Sequence, residues 1–107
     1  MAERSLSEKR EFTYAEAAAL VPELLRLTEP AYRKVEVLSA GSDTRGKVEA
    51  VVEAWAHEVL ARGVEVKGLW LVDFDNGAGY YCWRYPEARL MYYHSYDDGF
   101  GGRVPIQ

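Results

Sequence analysis

Apolar residues recur along this chain with two different periods. From Ala17 they fall at three- and four-residue intervals, at Leu20, Val21, Leu24, Leu27, Ala31, Val35 and Leu38, on one stripe of a helix that has to be buried. Thr13-Tyr14-Ala15-Glu16 has the capping-box form: the Thr13 hydroxyl can accept an orphan backbone N–H while the Glu16 carboxylate reaches back to the N–H of Thr13. Phe12 stands where an apolar residue staples the helix entry. Pro22 and Pro30 interrupt the stripe. Each lacks an amide N–H and crowds the carbonyl four residues earlier, so the spacing predicts a short first turn to Leu20 and a main helix from Pro22 to about Leu38, bent at Pro30. Ala40-Gly41-Ser42-Asp43 reads as a connector, with Gly41 suited to the left-handed residue after a helix end. Val48, Val51, Val52, Trp55 and Val59 mark a second helix starting near Thr44, with Gly63 as its cap. So short a connector makes the two helices antiparallel neighbours.

Beyond Gly63 the period falls to two. Val64–Phe74 contains an alternating segment, Asp75–Gly79 is a turn with Asn76-Gly77 at its centre, and Tyr80–Tyr85 is a second strand. Pro86–Arg89 turns the chain into a third strand, Leu90–Ser95. Residues 97–107 are too rich in Gly and Asp for a strand and read as an irregular tail laid over the domain. Residues 1–11 are polar, without period, and expected to be poorly ordered. The predicted fold is a single α+β domain: a helical hairpin over 12–63, packed on one face of a three-stranded antiparallel meander over 64–96.

Strand parity sorts the side chains. With a two- or four-residue loop at Asn76–Gly79, Asp73 lies opposite Cys82 and Leu71 opposite Arg84. One face then carries Trp70, Val72, Phe74, Tyr81, Trp83 and Tyr85, nearly all aromatic, and belongs against the helices. The other carries Leu69, Leu71, Asp73, Tyr80, Cys82 and Arg84, a mixed surface of the kind found at a subunit interface or the floor of a shallow site. Three strands also leave two edges open, and a second copy could close one of them. If the Pro86–Arg89 loop has four residues, His94 joins the Trp83 face, away from Cys82. A three- or five-residue loop reverses that.

Composition narrows the function classes. The 107 residues carry 13 bases and 17 acids, a net charge of −4. Nine bases and eleven acids lie in residues 1–62, four and six in 63–107, so neither half offers a phosphate-tracking surface and no nucleic-acid partner is expected. The apolar windows are far shorter than the roughly 18 residues of a membrane span. One Cys makes no internal disulfide, and the charged start MAERSLSEKREF is not a signal peptide, which points to a cytoplasmic setting.

The segments VEVKG, LVDF, YYCWR, YYH and GFGGRVPI, with FTYAEAAALVPEL near the start, resemble a family of short uncharacterised bacterial and archaeal proteins, domain of unknown function twenty-two-zero-three. They cover about half the chain. The family's positions fall on Phe12, Pro22, Lys67, Asp73, Phe74, Cys82, Trp83, Glu87, His94, Gly99, Phe100 and Arg103. This chain departs from the pattern at Pro86, where a Gly usually precedes the Glu, and at Trp70 and Asp75, which stand where Gly and Pro are expected. The resemblance implies no reaction and no ligand.

Asp73, Cys82, Glu87, His94 and Arg103 are the concentration of residue types able to do chemistry. Asp73 or Glu87 with His94 is conceivable as an acid–base pair, and Arg103 with His94 as a small-anion site. Cys82 and His94 are weak metal candidates, lacking close-spaced ligand pairs such as C-x-x-C, and neither metal nor cofactor is expected. The structural readings are plainer. Asp73 pairs with Arg84 or with tail N–H groups, Cys82 fills space, Glu87 caps a turn or binds Arg89, His94 bonds to the tail, and Arg103 anchors the C-terminus. His57, one turn after Glu53, reads as a solvated helix position. The leading expectation is therefore a non-enzymatic interaction or structural module that forms a homodimer. The alternative is a small enzyme or ligand-binding protein.

Overall fold

The computed structural model describes residues 10–42 and 44–106. Two helices, α1 (Tyr14–Ser39) and α2 (Arg45–Ala61), pack on one face of an antiparallel sheet. Its strands are β1 (Glu65–Gly68), β2 (Leu71–Asp75), β3 (Tyr80–Arg84), β4 (Tyr92–His94) and β5 (Val104–Pro105), in simple order β1-β2-β3-β4-β5. The α+β architecture is as expected; the sheet has five strands rather than three.

The capping box at Thr13 forms: its hydroxyl accepts from the Glu16 N–H at 3.1 Å, and Glu16 accepts from the Thr13 N–H at 2.9 Å. Phe12 is buried edge-on to Phe74, and its N–H donates to the Asp75 carbonyl at 2.7 Å. Against the expected break, α1 runs unbroken through Pro22 and Pro30. Both prolines lie on the exposed side, where water can reach the freed carbonyls of Ala18 and Arg26. Val21, Leu24, Thr28 and Ala31 stay buried on the other side and hold the helix together. Gly41 is not left-handed. The end of α1 is satisfied instead by the Thr44 hydroxyl, which donates to the Leu38 carbonyl at 2.7 Å. Gly63 does take the left-handed role after α2, with φ +82°.

The hairpin is tied across by the buried Trp55 indole, which donates to the Thr28 hydroxyl at 2.8 Å, and by Arg62, which pairs with Glu23 of α1 while Glu58 holds it from its own helix. Thr28 breaks the apolar stripe of α1, and this bond explains its burial. Expected disorder at residues 1–11 concerns mostly residues outside those described; Arg10 and Glu11 are placed, and the Arg10 guanidinium stacks 4.1 Å from the Phe12 ring.

In the sheet, Val72 pairs with Trp83, Asp73 with Cys82 and Leu71 with Arg84. This is the predicted register, and Val72, Phe74 and Trp83 enter the core with the helices. The turn uses four residues: Asn76 Oδ1 accepts from Ala78 and Gly79, Asp75 Oδ1 accepts from Gly77, and Gly77 sits at φ +90°.

The two strands beyond the three expected are β1 and β5. The segment Val64–Phe74 is a tight hairpin rather than one strand, bulged between Val66 and Gly68 and reversed through Leu69-Trp70. Trp70 adopts φ +62°, the left-handed region. The tail is also not wholly irregular, because after a 3₁₀ turn at Phe100–Gly102 it adds β5 beside β4, with the Ile106 N–H donating to Met91.

Trp70 occupies a left-handed conformation that glycine adopts without strain. The strain, about 1–2 kcal/mol, is offset by its buried ring, 4.9 Å from Trp55 and 6.1 Å from Tyr32. Removing a buried ring of this size costs about 3–5 kcal/mol, so packing outweighs strain. Trp70→Gly should lower the urea unfolding free energy by about 2–4 kcal/mol. A variant more stable than the parent would show that strain, not packing, dominates at this hairpin.

Candidate functional site

The sheet face away from the helices carries one row of side chains in register: Glu65 opposite Asp73, Asp73 opposite Cys82, Cys82 opposite Tyr92. A second row sets Asp75 opposite Tyr80 and Tyr80 opposite His94. A four-residue Pro86–Arg89 loop would have placed His94 on the other face. The connector is instead the seven residues Tyr85–Met91, an odd number, because Leu90 tucks into the core and its carbonyl accepts from the Tyr14 hydroxyl at 2.9 Å. His94 and Cys82 therefore share a face.

They converge on Asp73. His94 Nε2 lies 2.9 Å from Asp73 Oδ2, and Nδ1 lies 2.8 Å from the Ser95 carbonyl. Asp73, Cys82 and His94 are 2%, 1% and 4% exposed, so the centre of this face is covered. The cover is the chain's own tail and two long cations. Arg103 pairs with Glu87 Oε2 at 2.9 Å, lies 4.0 Å from the Tyr92 ring and 4.2 Å from that of Phe100, and brings Nη1 to 4.0 Å from Cys82 Sγ. Lys67 stands 3.8 Å from Asp73 Oδ2, 3.4 Å from Glu65 Oε1 and 4.1 Å over the Tyr80 ring.

Each proposed role can be placed. Glu87 caps its turn, accepting from the Arg84 N–H at 2.8 Å, and binds Arg103 rather than Arg89. Its backbone carbonyl accepts from the Trp83 indole at 2.8 Å. Arg103 does anchor the tail. Asp73 meets His94 and Lys67, not Arg84. Glu87 and Arg103 stand beside the Asp73–Cys82–His94 group rather than within it, because Glu87 reaches Arg103 and not His94. Glu65 and Lys67 join the site because β1 is a separate strand folded back on β2, which alternation over Val64–Phe74 does not reveal; the VEVK segment is the sequence signal that covers them.

The geometry constrains the chemistry. An acid–base histidine held by a carboxylate needs its second ring nitrogen free for substrate, and here the Ser95 carbonyl occupies it. Burial pushes the Cys82 thiol up to about 12; Asp73 adds to the rise and Arg103 opposes it. Such a thiol stays protonated at neutral pH and is a poor nucleophile. The Arg103 charge is neutralised by Glu87, which removes the cation from the small-anion reading. What the three central residues can offer is ligands: one donor atom from each lies within 4.8 Å of the others.

The raised thiol makes stability depend on pH. The unfolded thiol ionises near its ordinary value of 9.0 while the native one holds its proton to about 12, so the native state binds more protons between them and stability falls as pH rises through that window. Tyr96, whose hydroxyl donates to Asp75 and is pushed up from 10.0 to about 12, contributes in the same direction. Cys82→Ala should therefore show a shallower loss of unfolding free energy between pH 9 and 12 in guanidinium titrations, whatever its stability at pH 7. Equal slopes in parent and variant would mean that the native thiol ionises normally.

No curated protein and no solved structure matches the chain. The family model described as "Uncharacterized conserved protein (DUF2203)" matches residues 10–106, a span that takes in both helices and all five strands. The chain belongs to that family, whose function is unknown.

Proposed function

We propose that the protein is a non-catalytic interaction module that associates with a second copy of itself through the outer face of its helical hairpin. The observation that carries this reading is a contrast between the two faces of the molecule. Asp73, His94, Glu87 and Arg103 of the sheet and tail pair with one another, while α1 and α2 keep an apolar groove of about 360 Å³ on their solvent side. Leu27, Pro30, Ala50, Val51 and Ala54 line it, between Lys34 on α1 and Glu58 on α2.

A twofold axis over such a groove would set Lys34 of one copy against Glu58 of the other, twice, which is the self-complementarity a symmetric dimer requires. The sheet edges support this choice by being unattractive. β5 has two residues, one of them Pro105, and β1 is short and bulged, features that discourage pairing with another chain.

Ala54 is exposed, so Ala54→Glu leaves the fold intact while placing a charge in the groove. Sedimentation velocity should give the parent twice the chain mass of 12.1 kDa and the variant a single chain mass. A parent that sediments as a monomer at high micromolar concentration, or a variant that remains a dimer, would remove this reading.

A further inference from the structure

We propose that Asp73, Cys82 and His94 together bind one divalent metal ion of the zinc class, which ties β2, β3 and β4 together beneath the tail. This goes beyond self-association and does not depend on it.

Three observations lead there. The first is convergence: three adjacent strands deliver a carboxylate, a thiol and an imidazole so that one donor atom from each lies within 4.8 Å of the others, and all three residues are buried.

The second is the state of the histidine. The Ser95 carbonyl can only accept a hydrogen bond, so Nδ1 carries the hydrogen and Nε2 directs its lone pair at Asp73 Oδ2, 2.9 Å away. Two lone-pair atoms at that distance need a positive centre between or beside them, either a proton or a metal ion. Metal-bound histidines typically have this arrangement, with the far ring N–H held by a backbone carbonyl so that the near nitrogen is aimed at the ion.

The third is a poorly met acceptor. Among the described residues Asp73 Oδ1 is buried and accepts from no N–H or O–H group, which leaves this carboxylate only the weakly donating Cys82 thiol beside His94 and Lys67. A buried carboxylate oxygen so weakly partnered is costly, and an ion in the cluster would satisfy it.

The donor set selects the class of ion. A thiolate and an imidazole favour zinc and its neighbours in the transition series, whereas calcium and magnesium take oxygen ligands. A tetrahedral ion needs a fourth donor. Glu65, the cross-strand neighbour of Asp73, lies outside the three-residue group but has Oε2 buried and unpartnered among the described residues, so a swing of its side chain would supply it. The ion itself balances the thiolate and the carboxylate, and Lys67, 37% exposed, can withdraw from Asp73 into solvent. Loading is an exchange without redox change: the Cys82 thiol proton and the proton between His94 and Asp73 leave to solvent, and the ion takes their lone pairs. Burial of all three ligands suits a structural ion rather than one that activates water.

The test is titration of the chelator-stripped full-length chain with Co²⁺ and then Zn²⁺. We expect one equivalent of Co²⁺ to give the visible bands of a tetrahedral site and a near-ultraviolet thiolate-to-cobalt band, Zn²⁺ to displace it, and Zn²⁺ to raise the melting temperature. Cys82→Ser should abolish the thiolate band, and both it and His94→Gln should weaken Zn²⁺ binding by at least about 100-fold. His57→Ala, which alters a surface imidazole, should change neither. Release of about two protons per ion from the parent, read in weakly buffered solution, keeps the test decisive if a variant fails to fold. Absence of the thiolate band in the folded parent, binding unchanged in Cys82→Ser, or weak binding that disappears with His57 would each overturn the proposal.

Discussion

The pairing of Val72 with Trp83 across β2 and β3 is the constraint on which the rest of the molecule depends. Side chains alternate along a strand, so this one register sends Val72, Phe74 and Trp83 toward the helices and Asp73 and Cys82 the other way. A slip of one residue would exchange them, pressing a carboxylate against Leu24 and Val59 and exposing an indole. Each buried ring contributes roughly 1.5–3 kcal/mol, and an unpaired carboxylate in the core costs several more, so the register is strongly determined. The four-residue turn agrees with it: Asn76 and Asp75 satisfy that turn's N–H groups with their own side chains, and Gly77 takes the left-handed position.

With Phe74 and Trp83 committed to one side, the opposite face holds polar groups that neither belong in a core nor tolerate isolation. The chain resolves this by returning over itself. The tail passes through a 3₁₀ turn, adds β5 beside β4, and lays Arg103 across Tyr92 and Phe100 to reach Glu87. Glu87 is itself fixed by the Arg84 N–H, so the end of the chain is fastened to the connector between β3 and β4. The polar face thereby becomes an interior with its own small set of partners. Asp73, Cys82 and His94 lie at its centre.

Sequence alone determined what depends on local periodicity and capping. The stripe of α1, the capping box at Thr13, the Asn76-Gly77 turn and the β2–β3 register are written in residues a few positions apart, where helix geometry and strand alternation act directly. That Asp73 and Cys82 are cross-strand neighbours, the core of the candidate site, was legible for the same reason.

Tertiary structure decided what depends on distant partners. The two prolines of α1 do not break it because burial of Val21, Leu24 and Ala31 outweighs local preference. Trp70 bends into a left-handed turn, splitting one apparent strand into two, because its ring finds Trp55 on the far helix. His94 falls on the face of Cys82 because Leu90 is drawn into the core and lengthens the connector to an odd number of residues. In each case a contact between residues far apart in the chain sets a parity or a backbone angle that neighbouring residues do not encode.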